Sequence, residues 1–139
     1  MGTLYPLTKN YKIMNKMFCT IRKWDYRGNK RYNPSKTNLH KQIHTLHRKL
    51  KKEDGVITSY SIERDKGKQQ YHLHMIFHYT DENNLKEVLG KFIGGDITER
   101  ISGFDSYMGK YGTIWLEPIQ SERNSYEYIN KYEMSKTLV

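Results

Sequence analysis

At 139 residues the chain has the length of one domain with one core. Its formal net charge is +9, with 24 Lys and Arg spread from Lys9 to Lys136 against 15 acids; cations set near phosphates release condensed counterions, so nucleic acid is expected as partner ahead of an anionic membrane. No run reaches the roughly 18 apolar residues of a membrane span, the opening MGTLYPLTKNYK has no secretory apolar core, and a single cysteine, Cys19, forms no disulfide within the chain, so an intracellular setting is expected.

After a polar stretch over 1–16, the apolar run Met17, Phe18, Cys19, Thr20, Ile21 predicts a first strand. Asp25, Gly28, Asn29 and Asn33-Pro34 then mark a basic loop. In it Arg22, Lys23, Arg27, Lys30 and Arg31 alternate with Trp24, Tyr26 and Tyr32, the mix of cations and aromatic rings that single-strand binders use; a plainly solvated loop has the same composition. Leu39, Ile43, Leu46 and Leu50 repeat at helical spacing, with Gly55 as the stop. His40, His44 and His47 run beside that apolar stripe and are expected to extend a basic face with Arg48, Lys51 and Lys52, or to border the core, ahead of a zinc site.

Val56, Ile57, Tyr60 and Ile62 predict a second strand, Asp65-Lys66-Gly67-Lys68 a turn, and Tyr71 to Tyr79 a third strand, so the pair reads as a hairpin. Leu85, Val88, Leu89, Phe92 and Ile93 predict a helix closed by Gly94-Gly95. The stretch 97–111 has no clear pattern, Ile114 to Ile119 reads as a strand, and Ser125 to Lys136 has helical composition. This order predicts one α+β domain, an antiparallel sheet with flanking helices, with its core over about 17–136.

Side chains alternate along a strand, so His72 and His74 share one face while Leu73, Met75 and Phe77 take the other. The strand rise sets the two imidazoles about 7 Å apart, close enough to share a divalent ion. Glu63, at the end of the preceding strand, is the natural third ligand, and a two-His, one-carboxylate set leaves positions open for water or phosphate. His78 is expected to be solvated on the same face. Near the C-terminus, Tyr128, Lys131 and Tyr132 lie three and four apart and would share a helix face. A phenol with a pKa of about 10 is a poor nucleophile unless a cation and a metal-polarised phosphate assist it.

In their order these motifs resemble the HUH endonuclease domain of rolling-circle replication initiators, the Rep proteins of small DNA viruses, phages and plasmids. The resemblance rests on Phe18-Cys19-Thr20 on a first strand, His72-Leu73-His74, and Tyr128-Ile129-Asn130-Lys131 on a helix. It implies a ferredoxin-like, HUH-type fold and a Mg²⁺ or Mn²⁺ ion held by His72, His74 and Glu63. It further implies single-stranded DNA or an origin hairpin as substrate, attack by Tyr128 with help from Lys131, a covalent 5′-phosphotyrosine with a free 3′-hydroxyl, and rejoining. The run YINKYEMSK resembles initiators with two tyrosines, which makes Tyr132 either a second nucleophile or a packing residue. No GxxxxGK[ST] phosphate loop occurs in these 139 residues, so either this is a stand-alone initiator, with a helicase among its host or viral partners, or only the nuclease portion is present. Two alternatives stand beside this reading: a transposase or relaxase of the same HUH type, and a non-catalytic ferredoxin-like nucleic-acid-binding module.

Overall fold

Strand β1 (Asn15–Lys23) forms the middle of the sheet because its alternate side chains are apolar on both faces: Met17, Cys19 and Ile21 are buried on one, Phe18 on the other. The structure is a computed structural model describing residues 14–134 except 69, 99, 100 and 102. Its other elements are β2 (Asp25–Arg27), β3 (Lys30–Tyr32), α1 (Lys36–Lys51), β4 (Val56–Arg64), β5 (Tyr71–Tyr79), α2 (Glu82–Ile93), β6 (Asp105–Gly109), β7 (Gly112–Ile119) and α3 (Glu122–Lys131). The five-stranded sheet has the order β4-β5-β1-β7-β6, and every neighbouring pair is antiparallel. Taken without β6, the units β1-α1-β4 and β5-α2-β7 interlock as in ferredoxin-like α+β folds.

Leu39, Ile43, Leu46 and Leu50 of α1 and Leu85, Leu89 and Ile93 of α2 pack with Met17, Cys19, Ile21, Leu73, Met75, Phe77, Ile114 and Leu116 in one core. Both helices therefore cover the same sheet face, and alternation turns Thr20, His72, His74 and Trp115 to the opposite one. That second face is partly roofed by α3, whose contact is a small cluster of Phe18, Ile76 and Met134 with Ile119, Tyr128, Ile129 and Tyr132 around it.

Three helices start where a side chain caps them: Ser35 accepts from the Asn38 amide, Asp81 from Asn83 and Asn84, and Ser121 from Asn124. Ser121 thus sets the start of the last helix at Glu122, three residues before the predicted start, and Lys131 ends it; residues 135 and 136 of the predicted span lie outside the described residues, as do 1–13 of the polar N-terminal stretch. Gly94 closes α2 in the left-handed conformation (φ 69°), as its sequence position suggests. At the end of α1 it is Asp54 (φ 56°), not Gly55, that makes the left-handed turn, and the Gly55 amide then donates to the Leu50 carbonyl at 2.8 Å.

The structure corrects three expectations. The basic loop contains the hairpin β2–β3, turned at Gly28 (φ 61°). The patternless stretch 97–111 contains β6, an edge strand whose Gly109 abuts the end of α2 so closely that a Cβ there would stand 2.2 Å from the Ile93 carbonyl oxygen. His78 is 6% exposed rather than solvated, because β5 is an inner strand with Lys16 and Val56 as the Cα partners of His78 on either side. Among the described residues no helix is long and apolar enough to cross a membrane.

Candidate metal centre

The pairing of β4 with β5 sets Glu63 opposite His72 and Ser61 opposite His74, so Glu63 stands at the sheet edge beside both imidazoles. Its Oε1 is 3.0 Å from His72 Nε2 and its Oε2 is 3.8 Å from His74 Nε2. The two rings lean together, 4.8 Å between centroids and nearly perpendicular. One donor atom from each of the three residues falls within 4.8 Å of the others, and among the described residues this is the one such group of His, Cys, Asp or Glu. His40, His44 and His47 do not converge: His40 Nδ1 is 3.1 Å from the Tyr60 hydroxyl, and the buried His47 accepts the Ile57 amide at 3.0 Å. Of the uses expected for that stripe, His47 borders the core.

Each histidine has its second nitrogen held. His72 Nδ1 is 2.5 Å from Asp65 Oδ1, and Asp65 is in turn ion-paired with Arg22. Burial by itself would raise the Asp65 pKa, but the hydrogen bonds from Arg22 and His72 outweigh it and hold the carboxyl below the usual aspartate value. His74 Nδ1 is 3.1 Å from Thr20 Oγ1, which the register of β1 against β5 places directly opposite. With protons on the two Nδ1 atoms, both Nε2 lone pairs face Glu63. His74 Nε2 is buried without a hydrogen-bond partner. Burial first, then the nearby His72 and Lys131 charges, push the His74 pKa down to about 4 against the opposing pull of Glu63. A neutral imidazole with an unpaired, buried lone pair beside a carboxylate is the donor set a divalent cation takes, and the carboxylate–histidine contact is the usual outer support of such a ligand. The residues present fit a metal ion.

Over this group lie the C-terminal tyrosines. The Tyr132 ring stacks on the His74 imidazole at 4.0 Å, and the Tyr128 ring stacks on Phe18 at 4.1 Å; the two phenol rings are 6.4 Å apart and nearly parallel. Helix α3 has no fully buried residue of its own, so what holds it is its C-terminal turn. Glu133 (φ 48°) is left-handed, its amide reaches the Asn130 carbonyl at 3.4 Å, and the Met134 amide reaches the Ile129 carbonyl at 3.0 Å. This is a Schellman turn, and its apolar contact of Met134 with Ile129 lies against Phe18. Tyr128 donates a hydrogen bond to Glu117; burial first and then this carboxylate raise its pKa well above the ordinary phenol value. Lys131 Nζ is 5.2 Å from the Tyr132 ring centroid.

The basic segment divides by burial. Arg22 belongs to the metal centre through Asp65. Lys23 is buried, 3.4 Å from Asp25 and over the Phe92 ring, and desolvation lowers its pKa against the pull of Asp25. Trp24 is buried too, with its indole N–H on the Lys110 carbonyl at 2.6 Å and the Arg31 guanidinium 3.9 Å from its ring centroid. Arg27, Lys30 and Arg31 are exposed. The large exposed apolar and aromatic side chains lie elsewhere: Phe104 (64%), Met108 (75%), Trp115 (44%) and Tyr126 (65%). Trp115 pairs with Thr20, which pairs with His74, so this ring stands two strands from the candidate ligand on the same face. The signal was present in Ile114-Trp115-Leu116, where a tryptophan occupies the phase opposite the two core residues. Asp65, the other functional candidate not anticipated, looked like an ordinary turn residue.

No protein-family model matches the chain, and no curated protein or solved structure matches it at a significant level. The fold and the site together define a ferredoxin-like α+β protein with a His-His-Glu group able to hold a metal ion.

Proposed function

We propose that this chain is a metal-dependent nickase and joiner of single-stranded DNA, of the kind that starts rolling-circle replication, working inside a cell with Tyr128 as nucleophile. The observation that carries the reading is the aromatic stack in which Tyr132 covers His74 and Tyr128 covers Phe18, setting two phenols beside the Glu63, His72 and His74 group. A Mg²⁺ or Mn²⁺ ion held by those three residues would draw charge from a phosphate and orient it. Two imidazole donors favour Mn²⁺, since Mg²⁺ prefers oxygen ligands.

In the reaction the Tyr128 oxygen attacks phosphorus and its proton passes to Glu117, which already accepts its hydrogen bond. The bond from phosphorus to the 3′-oxygen breaks, that oxygen takes up the proton received by Glu117, relayed through water, and the 5′-phosphate stays on the tyrosine. Attack by a 3′-hydroxyl reverses the step and rejoins the strand, so the ester conserves the bond energy. Lys131 neutralises the phosphate, and Tyr132 serves as the second acceptor in a further transfer. Trp115 and Phe104, whose rings are 4.9 Å apart, offer unpaired bases a stacking surface. A helicase supplied by the host or virus would open the duplex. A transposase or relaxase of the same type would share these residues and differ in the DNA sequence cut.

The test incubates the protein with labelled single-stranded oligonucleotides, candidate origins among them, with and without Mn²⁺, and resolves the products on a denaturing gel. A Mn²⁺-dependent protein-linked band that vanishes in Tyr128→Phe and in His72→Ala/His74→Ala is expected. Persistence in Tyr128→Phe moves the nucleophile to Tyr132 or Tyr126. No band on a strand that binds tightly would refute the nuclease and leave a binding module.

A further inference from the structure

The cations run along the whole chain, but the acids do not. Residues 22–52 carry eleven Lys and Arg against the single acid Asp25, a net +10, so the other 108 residues together carry −1 of the chain's +9. Most of this excess lies on α1 and its cap, where Lys36, Lys41, Arg48, Lys49, Lys51 and Lys52 are exposed and no acid occurs. Among the described residues none of these six is in an ion pair. Helix α2 compensates both its cations locally and α3 its Arg123, with pairs Glu82–Lys86, Glu87–Lys91 and Arg123–Glu127, each four residues apart. An uncompensated cationic face repels itself, and it becomes favourable only against a polyanion. At 100° per residue, Lys41, Arg48 and Lys52 fall within a narrow stripe, opposite the buried Leu39, Ile43, Leu46 and Leu50.

We infer that the outer face of α1 binds the phosphate backbone of double-stranded nucleic acid, without reading its sequence. Three features select this occupant. The apolar stripe of α1 is spent on the core and none of the large exposed apolar residues lies on this helix, so nothing there inserts into a lipid surface. No Phe, Tyr or Trp is exposed on this helix either, where His44 is the one exposed ring, so it lacks the stacking platform on which single-strand binding depends and offers chiefly contacts to phosphates. A straight helix of 16 residues is about 24 Å long, which matches about seven base pairs of duplex. Because α1 lies on the sheet face away from His72 and His74, a duplex held there leaves the metal centre open to a single strand. The exposed Arg27, Lys30 and Arg31 of the β2–β3 hairpin continue the cationic strip, tied to α1 through Gln42 and Asp25 at 3.1 Å. The inference needs neither the metal nor the tyrosines.

The experiment measures binding of a short blunt-ended duplex of arbitrary sequence by fluorescence anisotropy across a salt series, for wild type and for Lys41→Ala/Arg48→Ala/Lys52→Ala. The triple variant is expected to flatten the dependence of log affinity on log salt by about three units. Its binding of the single-stranded oligonucleotide and its thermal stabilisation by Mn²⁺ should stay as in wild type. Lys66→Ala/Lys68→Ala/Arg123→Ala, with equal charge lost from exposed positions outside α1, should keep the wild-type slope. An unchanged duplex slope in the α1 variant, or an equal flattening in the control, overturns the inference. So does a loss confined to anionic phosphatidylserine vesicles, or one as large for single strand as for duplex.

Discussion

His72 has two nitrogens and only one of them faces His74 and Glu63; Asp65 decides which. Its carboxylate fixes the proton on Nδ1, and Arg22 keeps that carboxylate charged. Replacing Asp65 by Asn removes the charge while keeping the shape, so the ring is left with a neutral amide that holds its tautomer less firmly and strengthens it less as a donor. Mn²⁺ affinity, measured by isothermal titration, should fall about 10- to 100-fold, while the circular-dichroism spectrum stays that of the wild type. An unchanged affinity would mean that Asp65 serves Arg22 alone. At this scale the sequence was informative for residues whose roles depend on local period: two-residue alternation is enough to place His72 beside His74 and to bring Glu63 to them across the hairpin. It was silent on Asp65 and Thr20, because those contacts depend on where the chain returns after β4 and on the register of β1 against β5, which no local pattern encodes.

Helix α1 is joined to β4 by a contact that works only with a neutral imidazole. His47, 6% exposed, accepts the Ile57 amide just where β4 slips register between Ile57 and Ser59, and burial followed by the Lys51 and His44 charges lowers its pKa to about 4. The folded pKa lies below the unfolded value, so this contribution is complete above pH 6.5 and is lost as pH falls toward 4. By linkage, His47 alone should cost about 2 kcal/mol of stability between pH 7.5 and pH 5. His47→Asn retains an acceptor and cannot titrate, so its urea-unfolding free energy should fall less steeply over that interval by this amount. The His74 contribution is common to both proteins and cancels in the difference; parallel curves would refute the assignment. The main helices and the strands of the central sheet were legible because their apolar spacings are long and regular. β6 was not, being five residues of half-exposed edge held by a glycine contact with α2, and neither was the hairpin β2–β3, whose residues look like a loop until Asp25, Trp24 and Tyr111 anchor them.

Across the whole molecule, the sheet supplies the three candidate ligands from two neighbouring strands, and α3 brings the phenols to them from the far end of the described chain. Because Glu63, His72 and His74 converge only when β4 and β5 are paired, a cation bound there is bound to the folded state and must stabilise it. At a free Mn²⁺ concentration about 100 times the dissociation constant the gain is about 2.7 kcal/mol, or roughly 10 °C in melting temperature for a chain of this size. Mg²⁺, poorly matched to two imidazoles, should give a smaller shift at equal concentration. The shift should vanish in His72→Ala/His74→Ala and persist in full in Tyr128→Phe, since the phenol is not a ligand. That contrast separates holding the metal from using it: a histidine double variant that still responds to Mn²⁺ would move the cation to another site, whereas a Tyr128→Phe protein that lost the response would make the tyrosine part of the metal centre itself.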